Sequence, residues 1–322
     1  MDYIFTVRRV RKGAFTNEPG STYFLKVPEN SADIDPTHQI GSAGSGMPDK
    51  WAREVMAHAK SGLNPRTGEP KGDILIYVHG FNTPTSTMLE RHRLIRKGVE
   101  KHGFEGVVVS FDWPSASSAL NYLEDRSDAK QTARYLVDAG IAAFAERQTP
   151  DCEINMHLLA HSMGAYVVRE AFDDADDRPA IAANSWSVSQ VMLVSGDVST
   201  SSLTDGNPKT SSLYRHCVRL TNYSNPFDAA LSLSNIKRVG VSPRVGRVGL
   251  PSDAPGKAVE VDTGTYYEAN KHKFDHLPND SHTWYFWDDT FMRDVTETVK
   301  GDVDRNRIVT RVGRGSRLEL IV

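Results

Sequence analysis

The chain has 322 residues, 39% hydrophobic and 25% charged, a composition typical of a globular protein with a sizeable core. Lysine and arginine number 38 against 41 aspartate and glutamate residues, and the net charge of -3 creates no global field that would favour nucleic acid or an anionic membrane. We find no signal peptide and no transmembrane stretch, and the two cysteines, Cys152 and Cys217, form neither a disulfide framework nor a zinc pattern. These features predict a cytoplasmic protein and leave its oligomeric state open.

The chain opens with two short alternating segments. Residues 3–10 and 22–27 are predicted strands, joined by a turn over 13–20, and they would form an antiparallel pair. Residues 29–72 are rich in Ser, Gly, Pro, Asp and Asn, which predicts a connecting excursion with one helix over 49–61.

From residue 73 onward, apolar strand patterns alternate with amphipathic helix patterns. The runs at 74–78 and 107–111 are continuously apolar, as in strands that are buried on both faces. A helix with an apolar stripe is predicted over 129–146. This order predicts an α/β fold with a mostly parallel central sheet, helices on both faces, and a ligand site at the carboxyl ends of the strands. The remaining strands are predicted at residues 154–160, 188–194, 218–221 and 258–261.

We predict a single domain with three parts. Residues 1–72 hold the N-terminal strands and excursion, residues 73–300 the catalytic core, and residues 301–322 a C-terminal tail. The tail carries five arginines, which we interpret as a solvated face: Arg305, Arg307, Arg311, Arg314 and Arg317.

The strand over 154–160 runs into the residues A-H-S-M-G at 160–164 and then directly into a helix pattern. A strand, sharp turn and helix of this kind form a nucleophile elbow, which exposes a serine hydroxyl on a strained turn. The residues two before and two after the serine must be small so that strand and helix can pass closely, and Ala160 and Gly164 meet this demand. Ala160 departs from the G-x-S-x-G pattern, but the context predicts Ser162 as the nucleophile.

A serine that attacks a carbonyl also needs hydrogen-bond donors for the oxyanion that forms. One predicted donor is the backbone N–H of Met163, at a helix N-terminus where the dipole favours an anion. The other is Phe81, in the H-G-F-N loop at 79–82 that follows a strand. The same loop could also be a helix start capped by Asn82 or Thr83.

Together these motifs resemble an α/β-hydrolase family of bacterial proteins that is catalogued as a domain of unknown function. The resemblance covers about residues 73–299 and includes three further segments: F-D-W-P-S at 111–115, N-P-F-D-A-A-L-S at 225–232 and S-H-T-W-Y-F at 281–286. It implies the α/β-hydrolase fold and a Ser-His-Asp triad, and it is silent about substrate.

In this fold the catalytic base follows the last strand, which leaves His272, His276 and His282. The resemblance favours His282, with His276 as the runner-up. Two aspartates follow strands at suitable places for the acid. Counting the N-terminal pair as the first two strands places Asp228 after the seventh, the usual position, and the resemblance points the same way; Asp197, after the sixth, is the alternative acid.

Two histidines outside these three candidates are interpreted as structural. His157 and His161 lie on or beside the nucleophile strand, where a histidine is more often a satisfied structural residue. His272 and His276 are four apart near Asp275, but their surroundings resemble a loop and H-E-x-x-H is lacking, so we predict no metal site and no cofactor.

These features predict a carboxylesterase-type serine hydrolase acting on a small-molecule ester. A thioesterase, amidase or acyltransferase would share the machinery, and a non-catalytic binding protein could keep the fold. The polar segment 115–128 does not resemble an apolar lipase lid, which favours short or medium acyl chains. The basic segment 237–257 is interpreted as a solvated insertion, with selection of an acidic substrate as the alternative.

Overall fold

A computed structural model describes residues 1–63, 68, 70–115, 122–147, 153–182, 186–236, 243–315 and 317–321. The strands of these residues, numbered in chain order, are β1 Asp2–Arg11, β2 Ala14–Val27, β3 Lys60–Leu63, β4 Pro70–Val78, β5 Gly106–Asp112, β6 Glu153–His161, β7 Val188–Val194, β8 Cys217–Ser224, β9 Ala258–Asp262, β10 Arg311–Arg314 and β11 Arg317–Leu320.

All of these strands belong to one 11-stranded sheet in the order β10-β11-β9-β8-β7-β6-β4-β5-β1-β2, with β3 paired to β4. Strands β1, β4, β5, β6, β7, β8, β9 and β11 run parallel, whereas β2, β3 and β10 pair antiparallel with their neighbours. The carboxyl ends of β4 to β9 therefore lie along one edge of the sheet. The mostly parallel sheet predicted from the sequence is confirmed.

Helices connect the strands across both faces of the sheet. They are α1 Asp49–Ala59, α2 Thr85–Lys101, α3 Tyr122–Tyr135, α4 Ala142–Ala145, α5 Gly164–Asp176, α6 Pro179–Ala182, α7 Pro208–His216, α8 Ala229–Ile236, α9 Val245–Val248, α10 Gly264–Asn270, α11 Asp280–Thr283 and α12 Asp289–Lys300. A π-helical segment, Leu136–Ile141, joins α3 to α4, and short 3-10 turns occupy Pro36–His38, Thr200–Leu203, Lys271–Lys273 and Trp284–Trp287. No helix in the described ranges combines the length and apolar character needed to cross a membrane.

The core is divided into two layers by the sheet, as the central strand β4 shows. Ile74, Ile76 and Val78 belong to one buried cluster, while Leu75 and Tyr77 belong to the other. Because successive side chains of a strand point to opposite faces, an uninterrupted apolar run is what a strand buried on both faces requires. Helices α1, α3 and α5 contribute to the first cluster, and α2, α10 and α12 to the second.

The termini of several elements differ from the sequence prediction. The turn predicted over 13–20 shrinks to Lys12 and Gly13, both with positive φ (51° and 79°), because β2 already begins at Ala14. The last helix, α12, follows the aromatic 3-10 turn Trp284–Trp287. It begins at Asp289, where the Asp288 side chain accepts a hydrogen bond from the Phe291 N–H at 2.7 Å and caps it.

The C-terminal tail is part of the sheet. The interpretation of its arginines as a solvated face is wrong for Arg311, whereas Arg307, Arg314 and Arg317 are exposed. Strand β11 pairs parallel with β9, and β10 pairs with β11. Arg311 is buried, and its guanidinium holds both carboxylate oxygens of the buried Asp294, with Nη2–Oδ1 at 2.6 Å and Nε–Oδ2 at 2.9 Å. A buried carboxylate on α12 needs such a partner, so Arg311 ties the tail to the core.

Candidate active site

Ser162 lies in a sharp turn between β6 and α5, at the carboxyl edge of the sheet. Its φ is +55°, a strained conformation for a residue with a side chain. Backbone hydrogen bonds hold the turn: the Ser162 N–H donates to the Val194 carbonyl at 3.0 Å, and its own carbonyl accepts from Ala165 at 3.1 Å and Asp197 at 2.9 Å. The serine is buried at 7% exposure, although it is more exposed than its neighbours His161 (2%) and Met163 (1%).

Two glycines let the backbone pass close to this turn. A Cβ atom on Gly164 would lie 2.3 Å from the carbonyl oxygen of Val78, and one on Gly80 would lie 2.7 Å from Cβ of Ser162. Both distances are too short for real carbon atoms, so only glycine fits. Ala160 is fully buried and belongs to the core cluster, and its methyl group is therefore accommodated where the usual pattern has glycine.

The structure brings His282 and Asp228 together. Nδ1 of His282 is 2.7 Å from Oδ2 of Asp228, whose side chain is fully buried, while the His282 side chain is 11% exposed. The other oxygen of Asp228 accepts a hydrogen bond from the Leu231 N–H at 2.9 Å. Because a carboxylate only accepts hydrogen bonds, Nδ1 of His282 carries the proton, and Nε2 is the nitrogen that can act as a base.

The loops that carry these two side chains are bonded to each other. Nδ2 of Asn225 donates to the Ser281 carbonyl at 2.8 Å, and the Ala229 N–H donates to Oγ of Ser281 at 3.2 Å. These bonds join residues on either side of Asp228 to the residue that precedes His282. The motifs at 225–232 and 281–286 are thus two halves of one structural unit.

Contacts with His161 hold the ring of His282 beside the Ser162 turn. The two imidazole centroids are 4.7 Å apart, and Nε2 of His161 donates to the His282 carbonyl at 2.9 Å. Burial, reinforced by the neighbouring His282 and the guanidinium of Arg91, lowers the pKa of His161 well below its usual value, so this ring stays neutral. No hydrogen bond within the described chain joins the Ser162 hydroxyl to His282.

Both sequence-predicted oxyanion donors border this turn. Met163 directly precedes α5, and its N–H has no hydrogen-bond acceptor among the residues that the structure describes. Phe81 follows Gly80, the residue packed against Ser162. The reading in which Asn82 or Thr83 caps a helix is wrong: α2 begins at Thr85 after Pro84 and has no side-chain cap.

A buried polar network that the sequence did not indicate supports the loop at 79–82. Asp112 lies 3.0 Å from Nε2 of His79 and 2.8 Å from Nε of Arg8, and all three side chains are buried. Nε1 of Trp113 donates to the His79 carbonyl at 2.9 Å, and the two rings stack. Burial alone would raise the pKa of the Asp112 carboxyl, but Arg8 and His79 hold it well below its usual range.

Asp197, the alternative acid, has a different partner. Its Oδ1 lies 2.9 Å from Nε of Arg244, and both side chains are buried. Arg244 belongs to the basic segment 237–257, so the interpretation of that segment as a solvated insertion is wrong for this residue. The neighbouring residues 237–242 lie outside the described residues.

The remaining candidate residues lie apart from this cluster. His272 and His276 are exposed. His157 is buried, and its Nε2 lies 2.8 Å from Oδ1 of Asp73 in the N-terminal half of β4. Over the described ranges, no three His, Cys, Asp or Glu side chains are grouped to hold a metal ion. Of the polar segment 115–128, residues 116–121 lie outside the described ranges.

A family model described as alpha/beta hydrolase of unknown function (DUF900) matches residues 56–268, more than half of the chain. The protein belongs to this family. This membership, together with the order of strands in the sheet, confirms the predicted α/β-hydrolase fold. This DUF900 member is a hydrolase of the alpha/beta family. An uncharacterized protein of Nostoc sp. is 28% identical over 117 residues, which cover 30% of this chain but only 29% of that protein.

Solved structures give more distant likenesses to this DUF900 hydrolase. Lipase B of Aspergillus fumigatus is 13% identical with a TM-score of 0.37, over 80% of this chain and 55% of the lipase. A putative cell surface hydrolase from Lactobacillus plantarum is 12% identical with a TM-score of 0.35, over 71% of this chain and 90% of that chain. Likenesses this distant say nothing about substrate.

Proposed function

We propose that this DUF900 hydrolase cleaves carboxylic esters through an acyl-enzyme formed on Ser162. The observation that carries the proposal is the 2.7 Å hydrogen bond between the buried Asp228 carboxylate and Nδ1 of His282, in loops at the same sheet edge as the Ser162 turn. A serine hydroxyl becomes a good nucleophile only when a base removes its proton, and an imidazole held by a carboxylate is such a base.

In the proposed first half-reaction, Nε2 of His282 takes the proton of Ser162 Oγ as that oxygen bonds to the ester carbonyl carbon. The carbonyl oxygen becomes an oxyanion and accepts hydrogen bonds from the N–H groups of Phe81 and Met163. His282 then gives its proton to the leaving alcohol as the ester C–O bond breaks, which leaves the acyl group on Ser162.

In the second half-reaction, His282 takes a proton from a water molecule that attacks the acyl carbon. The bond between the acyl carbon and Oγ breaks, Oγ recovers the proton from His282, and the carboxylic acid is released. Asp228 keeps Nδ1 protonated and stabilises the imidazolium in both halves. No step requires a metal ion or an organic cofactor.

The proposal is tested with a fluorophosphonate probe, which reacts quickly only with an activated serine. We expect the probe to label the protein and peptide mapping to place the adduct on Ser162. The matched control is Ser195→Ala, because Ser195 is a second buried serine with positive φ (45°) at the carboxyl edge, but its hydroxyl is 3.2 Å from that of Tyr285. Labelling should vanish in Ser162→Ala and persist in Ser195→Ala.

Labelling that survives Ser162→Ala would contradict the assignment of the nucleophile. A folded wild-type protein that neither reacts with the probe nor hydrolyses any chromogenic ester would instead be a non-catalytic binding protein. Thioesters and amides would use the same side chains, so a panel of matched oxygen esters, thioesters and anilides of one acyl group identifies the preferred leaving group.

A further inference from the structure

A cavity of about 460 Å³, lined mostly by polar and charged residues, lies beside α5 and the loop after β7, which flank the Ser162 turn. Its walls come from α5, from the loop that follows β7, and from the start of α7. Two links tie it to Ser162: the N–H of the lining residue Asp197 donates to the Ser162 carbonyl at 2.9 Å, and the lining residue Tyr166 lies four positions after Ser162. The wall of the cavity is therefore bonded to the backbone of the Ser162 turn, and the cavity has the volume of a small-molecule pocket.

The charged residues in the wall are mostly cationic. Arg169, Lys209 and Arg244 line the cavity, and Asp197 is the acid among the described lining residues. Asp197 is the ion-pair partner of Arg244, and Glu170, outside the lining, is in contact with Arg169. When both carboxylates are counted, the wall still carries net positive charge.

Arg169 and Arg244 are buried, and each has a guanidinium nitrogen without a hydrogen-bond partner among the described residues. Nη2 of Arg244 and Nε of Arg169 have no hydrogen-bond partner in the described part of the chain, although the residues are only 2% and 7% exposed. An unpaired buried donor is costly, and a ligand oxygen removes that cost. A guanidinium presents five N–H donors in a planar fork, and one carboxylate partner does not occupy all of them.

Neighbouring groups fix the orientation of the Arg169 and Arg244 guanidinium groups. The guanidinium of Arg169 lies over the ring of Tyr166, 4.8 Å from its centroid. The backbone of Arg244 forms a β-bridge with Ser199, and Asp197 holds its side chain. Donors held in place in this way recognise the planar or tetrahedral oxygens of an anion without further ordering.

We propose that this cavity binds an anionic group, a carboxylate or a phosphate, carried by the substrate, and that the enzyme therefore prefers acidic esters to neutral ones. The inference rests on the proposed esterase function, because it gives the substrate class for the same site. It takes up the alternative that the basic residues of 237–257 select an acidic substrate, with Arg244 as the residue from that segment that lies at the site.

The first experiment compares two esters that differ in one terminal group. The 4-nitrophenyl monoester of glutaric acid carries a carboxylate where 4-nitrophenyl pentanoate carries a methyl group, and the ratio of their kcat/KM values measures the preference. We expect the wild-type ratio to favour the acidic ester, and Lys209→Gln and Arg244→Gln each to lower the ratio roughly tenfold or more. Lys97→Gln removes the charge of an exposed lysine on α2 and should leave the ratio unchanged.

The second experiment needs no turnover. Calorimetric titration of Ser162→Ala with glutarate and, separately, with inorganic phosphate measures the cavity alone. Saturable binding of either anion that is weakened by Lys209→Gln supports the proposal and identifies the preferred anion. Lys209 is exposed, so this variant keeps the test open if Arg244→Gln does not fold.

The two proposals fail in different ways. If neither ester is hydrolysed and the probe does not react, the esterase function is wrong, and the titration still decides whether the cavity binds anions. Suppose instead that both esters are hydrolysed, that the ratio of their kcat/KM values is near one in the wild type and in every cavity variant, and that neither anion binds. The anionic preference is then overturned, while the esterase function stands.

Discussion

Replacement of Asp228 by asparagine is the sharpest test of the proposed machinery. The asparagine Oδ1 can still accept the Leu231 N–H, but its Nδ2 would face Nδ1 of His282, 2.7 Å away in the present structure. Two donors cannot share that contact, so the imidazole proton moves to Nε2, and that nitrogen can no longer take the Ser162 proton. In a serine protease the equivalent change lowers kcat about 10⁴-fold, which corresponds to about 5 kcal/mol of barrier, and we expect a loss of about 10³- to 10⁴-fold here.

The assay is the initial rate of hydrolysis of a neutral 4-nitrophenyl ester at saturating concentration, with the folded fraction checked by thermal melting. Asp197→Asn is the matched control, because it changes a second buried aspartate at the same sheet edge. Asp197 pairs with Arg244 and not with His282, so its variant should retain far more turnover. A severe loss in Asp197→Asn beside near-normal turnover in Asp228→Asn would reverse the assignment of the acid.

Two further predictions concern packing and pH. Gly80→Ala places a methyl group 2.7 Å from Cβ of Ser162, so we expect kcat to fall about 10- to 100-fold, whereas Gly313→Ala, where nothing lies within 4 Å, should leave kcat unchanged. Burial raises the pKa of Glu260 to about 7 from 4.5, against hydrogen bonds from Ser224 and Asn222. Because the pKa of Glu260 is higher in the folded protein than in the unfolded chain, this group stabilises the fold fully below pH 4.5. This contribution of up to about 3 kcal/mol to the free energy of unfolding is lost as the pH rises to about 7. When the free energy of unfolding is measured by urea denaturation across this pH range, Glu260→Gln should remove its fall with pH. If the variant shows the same pH dependence as the wild type, the role of Glu260 is refuted.

The parts of the protein that the sequence predicted are those with local signals. The apolar run at 74–78 identifies a strand buried on both faces, because alternate side chains enter two separate clusters. The signal for the Ser162 turn is also local, because Ala160, Ser162 and Gly164 lie within five positions. His282 could not be found in this way. It lies 54 positions after its partner Asp228, and only the family resemblance separated it from His276.

The network behind the loop at 79–82 shows why the rest could not be predicted. Arg8 and Asp112 are 104 positions apart, and in the sequence each resembles an ordinary charged surface residue. Only the parallel pairing of β1 with β5 brings them together. The same holds for Arg311 and Asp294, a buried pair of which Arg311 was interpreted from the sequence as part of a solvated face. A charge pattern specifies how many ions a segment carries, whereas topology determines which of them are buried as pairs.

The two aspartates at the sheet edge differ in the chemistry of their partners, and this difference argues for separate roles. Asp228 holds an imidazole, a ring that can both accept and release a proton, as a general base must. Asp197 holds a guanidinium, which stays protonated at all working pH values and cannot relay a proton. To orient His282, Asp197 would have to leave Arg244 buried without its carboxylate partner, at a large cost. A permanently charged arginine with an unpaired N–H is instead suited to hold an anion, so Asp197 should influence which ester binds, and Asp228 how fast the bound ester reacts.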